Sequence, residues 1–363
     1  MVELFDLYNP LKKQKLQILD LEGKVINSEL EPKISDGELL KMYKIMILCR
    51  ISDLKAVQYQ RQGRMLSYVI NQGHEAGQVG IASALQDKDW ISPYFRDIGL
   101  YLYRGISLEN IYLYWFGNEK GSQMDPNKRI LPVNIIIGSS VNIGAGLALA
   151  SKIQKKDEVT LTTIGDGGTA HEEFYAGLNF ASVYQAPLVV AIQNNQYAIS
   201  TPRKIASHSE TLAQKAYAFG IQGIQVDGND VLAVHVAIKH FVERARQKKG
   251  PALIEIITYR MGAHTTNDNT KLYRSVEEEE QWRLKDPIVR FQKYLLNKNI
   301  LTQDMIEEID KETEQHVKQT HDKIMSYGDK VEPIEIFEHI YDKMTPQLIE
   351  QYSEYETFLK NKK

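Results

Sequence analysis

Cysteine is almost absent from this 363-residue chain, and the lone Cys49 excludes any disulfide framework within it. It sits in an apolar stretch of helical spacing, where a buried small hydrophobe is expected rather than a reactive thiol. An excess of charge of either sign is missing too. The 44 Lys and Arg against 47 Asp and Glu leave a formal charge of −3, which gives no long-range attraction for nucleic acid or an anionic membrane. Any phosphate site must therefore be local. No long apolar run is present: the most apolar window, Ile135 to Ala150, is broken by Ser139, Ser140 and Asn142 and falls short of the ~20 residues that span a bilayer. It reads as core. Met1 to Pro10 lacks the basic flank and apolar centre of a secretory signal, so a cytoplasmic location is expected, and no internal repeat is found.

What is present is the ordinary composition of a soluble globular protein, sufficient for one large α/β core. Residues 1–34 mix charge with scattered aromatics without a sustained period, which predicts an arm lying on the body or on a partner. Ser35 then opens a helix, with Glu38 completing a capping box and Leu39, Leu40, Tyr43, Met46, Ile47 and Leu54 at near-helical spacing. Between about 75 and 260, helical stretches alternate with β-rich runs at Val159 to Ile164, Leu188 to Gln193 and Ala252 to Ile257. That alternation predicts an α/β fold, a central parallel sheet flanked by helices on both faces. Thr265 to Arg274 is too polar for core and reads as an exposed loop. Ser275 and Glu278 form a second capping box, and a charged helical tail follows. The expected divisions are 1–34 (arm), 35–290 (α/β body) and 291–363 (helical C-terminal region).

The chemistry concentrates where the strand Val159 to Ile164 ends in Gly165-Asp166-Gly167-Gly168 and passes into a helix over Glu172 to Tyr184. The next strand, Leu188 to Gln193, ends in Asn194-Asn195. If the two strands are parallel neighbours, both polar motifs emerge at one crevice. The glycines let the backbone turn tightly beside a ligand, and the following helix directs its positive end toward phosphate. Asp166 would repel phosphate unless a cation joined them; Mg²⁺, which takes oxygen ligands and bridges to phosphate, suits that place, with Asn195 as a second oxygen donor. Either fragment alone is no more than a turn or a strand exit.

Together, with residues 168–193 (26 residues) between Gly165-Asp-Gly and Asn194-Asn, they match the thiamine-diphosphate signature. From about Ser35 to Asp286 the chain resembles the α subunit of the decarboxylating component of pyruvate and branched-chain 2-oxo-acid dehydrogenase complexes. The similar stretches are Gly165-Asp-Gly-Gly-Thr, Asn194-Asn-Gln-Tyr-Ala-Ile-Ser-Thr, Gln225-Val-Asp-Gly-Asn-Asp, Tyr259-Arg-Met-Gly-Ala-His-Thr and Tyr273-Arg-Ser. The resemblance implies a thiamine-diphosphate-binding fold, with Mg²⁺ held by Asp166, Asn195 and the Tyr197 carbonyl. It gives Gly167 and Gly168 amides to the diphosphate, Arg96 and Arg260 as guanidinium clamps, and Ile135 and Ile137 as the aminopyrimidine wall. Phe95 stands where the family usually has Tyr, so a phenolic hydrogen bond is expected to be missing. By the same resemblance His264 carries chemistry, and Tyr273 and Arg274 anchor the loop that orders around the cofactor. Thr265 stands where some relatives have a regulated serine. His74 occupies a usual Gln position and is left out of catalysis; Glu75 is assigned a structural polar network and Tyr68 either a place near the substrate or plain packing.

The resemblance further implies oxidative decarboxylation of pyruvate with acyl transfer to a lipoyl-bearing dihydrolipoamide acyltransferase. The glutamate that activates the cofactor comes from a β subunit in an α2β2 heterotetramer, so the chain alone is expected to be inactive. A branched-chain 2-oxo acid remains the alternative substrate. A nicotinamide enzyme built on Gly144-Ala-Gly lacks the third glycine of that motif, and an inactive binding protein of this fold would be expected to show broken metal or diphosphate positions.

Overall fold

The computed structural model describes residues 3–327 and 332–362, which form two compact units divided after Thr320. In the first, six strands make one all-parallel sheet: β1 (Lys15–Leu16), β2 (Trp90–Ser92), β3 (Thr160–Gly165), β4 (Leu188–Asn194), β7 (Gln222–Asp227) and β8 (Ala252–Ile257). Their order is β1-β7-β8-β4-β3-β2, and a separate antiparallel ribbon pairs β5 (Tyr197–Ala198) with β6 (Thr201–Pro202). Every residue of β4 is buried, as a central parallel strand with both faces covered requires. Leu188, Val190 and Ile192 enter a core with Val141, Ala145, Phe174 and Leu178, supplied by the helices Ser139–Ile153 and Glu172–Val183. Each such side chain contributes on the order of 1.5–3 kcal/mol by leaving water. The alternate residues, Val189 and Ala191, are equally buried; the helix Val231–Arg246, packed on Glu75–Ser83, covers that face.

The expected helix after Ser35 runs from Asp36 to Arg61, and Ser35 Oγ accepts from Glu38 N at 3.3 Å. Leu39, Tyr43, Met46 and Ile47 are buried as their spacing predicts, and Cys49 is buried among them. Leu54 is not: it is half exposed, because at that turn the buried face of the helix carries Asp53 and Ala56 instead. Residues of the N-terminal arm lie on the body. They supply β1 at the sheet edge beside β7, and Asp230 Oδ2 accepts from both Ile18 N and Leu19 N at 2.7 Å. The other carboxylate oxygen of Asp230 caps the helix Val231–Arg246, receiving Leu232 N and Ala233 N at 3.1 Å, so one buried side chain ties arm to helix.

Register decides where the polar motifs go. Gly165 pairs with Gln193, and Asn194 with Ile257. Asp166, Asn195 and the residues after Ile257 therefore leave the sheet level with one another at its carboxyl edge. The short strand β2 pairs with β3 through Ser92 and Thr162, which sends Tyr94, Phe95 and Arg96 to the same edge. In the second unit, Thr345 caps the helix Pro346–Asn361, and Phe337 lies 5.7 Å from the Tyr352 ring.

Candidate active site

Above the carboxyl ends of β2, β3 and β4 lies a cavity of about 520 Å³. Its wall includes Phe95, Arg96, Ile135, Ile137, Asp166, Gly167, Gly168, Asn195, Tyr197 and His264, ten of the thirteen residues to which the resemblance gives a catalytic, cofactor-binding or metal-binding place. Arg260 is fully buried behind this wall, with Nη1 3.3 Å from the Tyr197 carbonyl and 3.2 Å from His264 Nδ1, and Nη2 2.6 Å from the Ile199 carbonyl. Tyr273 and Arg274 do not line the cavity. Tyr273 accepts from Arg260 Nη2 at 2.9 Å and donates to Asp268. The Arg274 guanidinium is enclosed by the rings of Tyr197, Tyr259 and Tyr273, 4.8, 5.0 and 5.5 Å from their centroids, with Nη1 3.0 Å from the Gly262 carbonyl. Both residues secure the loop from behind.

The helix Glu172–Val183 starts at the residue expected for it, but not directly on the glycine motif. A 3-10 turn, Gly167–Ala170, intervenes, and Glu172 and Glu173 stand in the helix's first turn, where they offset its positive end. The amides nearest the cavity thus belong to the turn. Its glycines are there for lack of space: a Cβ on Gly167 would lie 2.5 Å from Ala198 Cβ, and one on Gly168 2.6 Å from Ile164 Cγ1.

Asp166 is nine-tenths and more buried, and its Oδ2 has no hydrogen-bond donor among the described residues. Burial raises its carboxyl to about 6, against the pull of backbone amides and Arg260. A buried carboxylate oxygen without a donor costs free energy unless a cation meets it. The Tyr197 carbonyl accepts a long bond from Arg260 Nη1, and a carbonyl oxygen has two lone pairs to offer. Among the described residues no cluster of three or more His, Cys, Asp or Glu is placed to hold a metal, so a cation here needs other oxygens, as phosphate and water would supply.

Opposite stands a surplus of positive charge. Arg96 and Arg260 are both buried, and among the described residues neither meets a carboxylate and each has an unpartnered Nε. Burial, then repulsion from Arg96 and Arg274, lowers Arg260 to about 10. An anion in the cavity would relieve all of these. Arg96 Nη2 and Arg260 Nη1 both point at His264 Nδ1, at 3.1 and 3.2 Å, which fixes Nδ1 as acceptor and leaves Nε2 carrying the proton. Burial and those two cations hold the imidazole down to about 3. His264 is therefore a neutral hydrogen-bond donor here, not a group titrating near pH 7.

Other wall residues escaped the sequence reading. Tyr94, Trp115, His171 and Ile199 line the cavity; Tyr94 precedes the singled-out Phe95 and Arg96, and Ile199 lies within the quoted stretch Asn194-Asn-Gln-Tyr-Ala-Ile-Ser-Thr without having been given a role. Tyr94 Oη is buried and, among the described residues, unpartnered, a phenol one position from the Phe95 that lacks one. Tyr68 lies off the wall: it donates to Asp53 at 2.6 Å, while its backbone pairs with Thr266 at 3.0 and 3.1 Å. Glu75 accepts from Arg50 Nε at 2.5 Å and Gly73 N at 2.8 Å, the structural network expected of it.

Residues 43–331 match the family model of the dehydrogenase E1 component. The chain is 56% identical over 345 residues to the pyruvate dehydrogenase E1 component subunit alpha of Acholeplasma laidlawii, covering 95% of this chain and all of that one. It is 42% identical to the protein of that name from Mycoplasma genitalium, over 92% of this chain and 93% of the relative, and 40% to that of Staphylococcus aureus, over 95% and 93%.

The chain belongs to the dehydrogenase E1 component family.

It is accordingly an enzyme of the thiamine-diphosphate-dependent oxidoreductase class, and the parallel α/β body is that family's fold. The E1 cavity fits a diphosphate ligand on the observations above: glycines that leave no space for side chains, two uncompensated guanidiniums, and one carboxylate oxygen in need of a cation. Among the described residues no helix is long and apolar enough to cross a membrane.

Proposed function

We propose that this chain is the α subunit of a pyruvate dehydrogenase E1 component, decarboxylating pyruvate and passing the acetyl group to a lipoyl-bearing dihydrolipoamide acyltransferase. The observation that carries this reading is Asp166 Oδ2, without a donor among the described residues, set beside Asn195 at the strand edge and opposite two buried arginines that meet no carboxylate among those residues. The shared name of its relatives supports pyruvate over a branched-chain acid. The α/β body over 35–290 would hold the site, with 1–34 as the arm and 291–363 as the C-terminal region.

Bound in this cavity, thiamine diphosphate would supply the carbon nucleophile and the electron sink for decarboxylation. The chain's own part is to hold and shield it. Asp166, the Asn195 amide oxygen and the Tyr197 carbonyl would hold Mg²⁺; Gly167 and Gly168 would give amides to the diphosphate; Arg96, with Arg260 behind it, would neutralise it. Ile135 and Ile137 would wall the aminopyrimidine and exclude water. His264, with its proton fixed on Nε2, would donate a hydrogen bond to the reacting carbonyl oxygen, while Tyr273 and Arg274 keep its loop in place. None of these residues supplies the glutamate that activates the cofactor, so a β subunit in an α2β2 assembly would supply it.

The test is decarboxylation of pyruvate and of 3-methyl-2-oxobutanoate by this chain co-expressed with its β partner, with Mg²⁺ and thiamine diphosphate. Turnover that prefers pyruvate and vanishes in Asp166→Ala is expected. Preference for the branched acid would move the chain to that substrate; no turnover of either would sink the reading.

A further inference from the structure

His74 has no place in the scheme above, yet it is fully buried and wedged between two polar groups. It stands at the N-terminus of the helix Glu75–Ser83, whose first residue is tied to Arg50 and to the backbone of Gly73, so the ring is carried on a fixed support. Nδ1 lies 3.1 Å from the Asn71 carbonyl oxygen. A carbonyl only accepts, so Nδ1 carries the proton and Nε2 is the acceptor. Nε2 lies 3.1 Å from Asn195 Nδ2. The Asn195 amide therefore turns its nitrogen to His74, and its oxygen, which accepts from Tyr197 N at 3.2 Å, away from it.

We propose that His74 is a positioning residue for cation binding: its imidazole fixes the flip of Asn195 so that the amide oxygen, and never the amide nitrogen, is offered to the metal. This rests on the reading of Asp166, Asn195 and Tyr197 as the Mg²⁺ ligands. The two faces of an amide are close in shape but opposite in polarity, and a flipped Asn195 would aim two N–H bonds at a cation. The acceptor at position 74 removes that alternative, as outer partners of metal ligands commonly do. Asn71 extends the chain of control, since its side-chain oxygen accepts from Gln78 Nε2 at 3.2 Å and from Ile98 N at 3.3 Å, fixing the residue whose carbonyl sets the His74 tautomer.

The experiment uses the α chain assembled with its β partner and measures bound Mn²⁺, a paramagnetic stand-in for Mg²⁺, by electron paramagnetic resonance in excess thiamine diphosphate. Wild type, Asp166→Ala, His74→Leu and His74→Gln are titrated side by side. The expected result is loss of the tight site in Asp166→Ala, a weakening of about ten-fold or more in His74→Leu, and recovery to within about three-fold of wild type in His74→Gln, whose amide oxygen restores an acceptor. If Asp166→Ala abolishes binding while His74→Leu binds as wild type does, the positioning role is wrong and the metal site stands. Equal weakening in His74→Leu and His74→Gln would overturn it as well, because packing and not the acceptor would then be responsible. Unchanged binding in Asp166→Ala would bring down the metal site itself, and the inference with it. Should His74→Leu fail to assemble, His74→Phe, a ring of similar outline with no acceptor, replaces it in the same titration.

Discussion

A single methyl group tests the floor of the site. The turn Gly167–Ala170 holds its glycines against Ala198 and Ile164, so Gly168→Ala forces a carbon into space already filled. Overpacking of that kind costs about 1–3 kcal/mol. Calorimetric melting of the variant is expected to show a lower midpoint, and the turn amides should be displaced enough to weaken cofactor binding; an unchanged midpoint would mean that Ile164 yields freely. The state of His264 gives a second test. Unfolded, a histidine takes up its proton below about 6.5, whereas the folded ring stays neutral down to about 3. Between those values the unfolded chain binds more protons, so the histidine's contribution, complete above about 6.5, is lost as the pH falls toward 3. Thermal midpoints of wild type and His264→Asn measured from pH 7.5 to pH 5 should fall at different rates, with the shallower decline in the variant. The comparison is between the two proteins, because the raised carboxyls of Asp53, Asp97 and Asp166, at about 7, 8 and 6, act with the opposite sign in both.

At the scale of elements, the loop from His264 to Arg274 is held at three points. His264 N donates to Asp268 Oδ2 at 2.7 Å, the Thr266 backbone pairs with that of Tyr68, and Arg274 lies within its cage of tyrosines. Arg274 also feels the helix Val276–Arg283 behind it, because Tyr259 stacks on Trp282 at 5.2 Å and Tyr197 donates to Glu278 at 2.8 Å. A planar guanidinium stacks on rings in a way that an ammonium does not. Arg274→Lys is therefore expected to leave melting of the body nearly unchanged while limited proteolysis cuts faster between 264 and 274; equal cleavage rates would show that the cage is not what holds the loop. Ser275 Oγ accepts from Glu278 N at 3.1 Å, and Ser275→Ala should cost about 1 kcal/mol in chemical denaturation.

For the whole molecule, the parallel sheet is what makes a site from scattered sequence. All strand ends of one polarity lie on one edge, so loops more than a hundred residues apart meet there. The mouth of the cavity is apolar and open: Ile135, Ile136 and Ile199 are 54, 72 and 58% exposed. Such a rim is better suited to a covering protein surface than to water, in keeping with the proposed β subunit. Turnover should be absent for the chain alone, appear on assembly with that partner, and fall on treatment with a chelator until Mg²⁺ returns. Activity of the isolated chain would refute the shared site.

From the sequence by itself came the α/β class, the strands β3, β4 and β8, the serine caps of both helices and the Gly-Asp-Gly and Asn-Asn corner of the site, because period, cap chemistry and those motifs are local properties of the chain; the rest of the wall came from the family resemblance. The strands β1, β2 and β7 were not legible: two are only two or three residues long, too short for a period to declare itself. Only the folded structure decided that Arg260, Tyr273 and Arg274 stand behind the cavity, that His264 is neutral, and that His74 faces Asn195. Each of these depends on the direction of a side chain toward a group brought near by register and packing, and the spacing of residues along a chain carries no record of that direction.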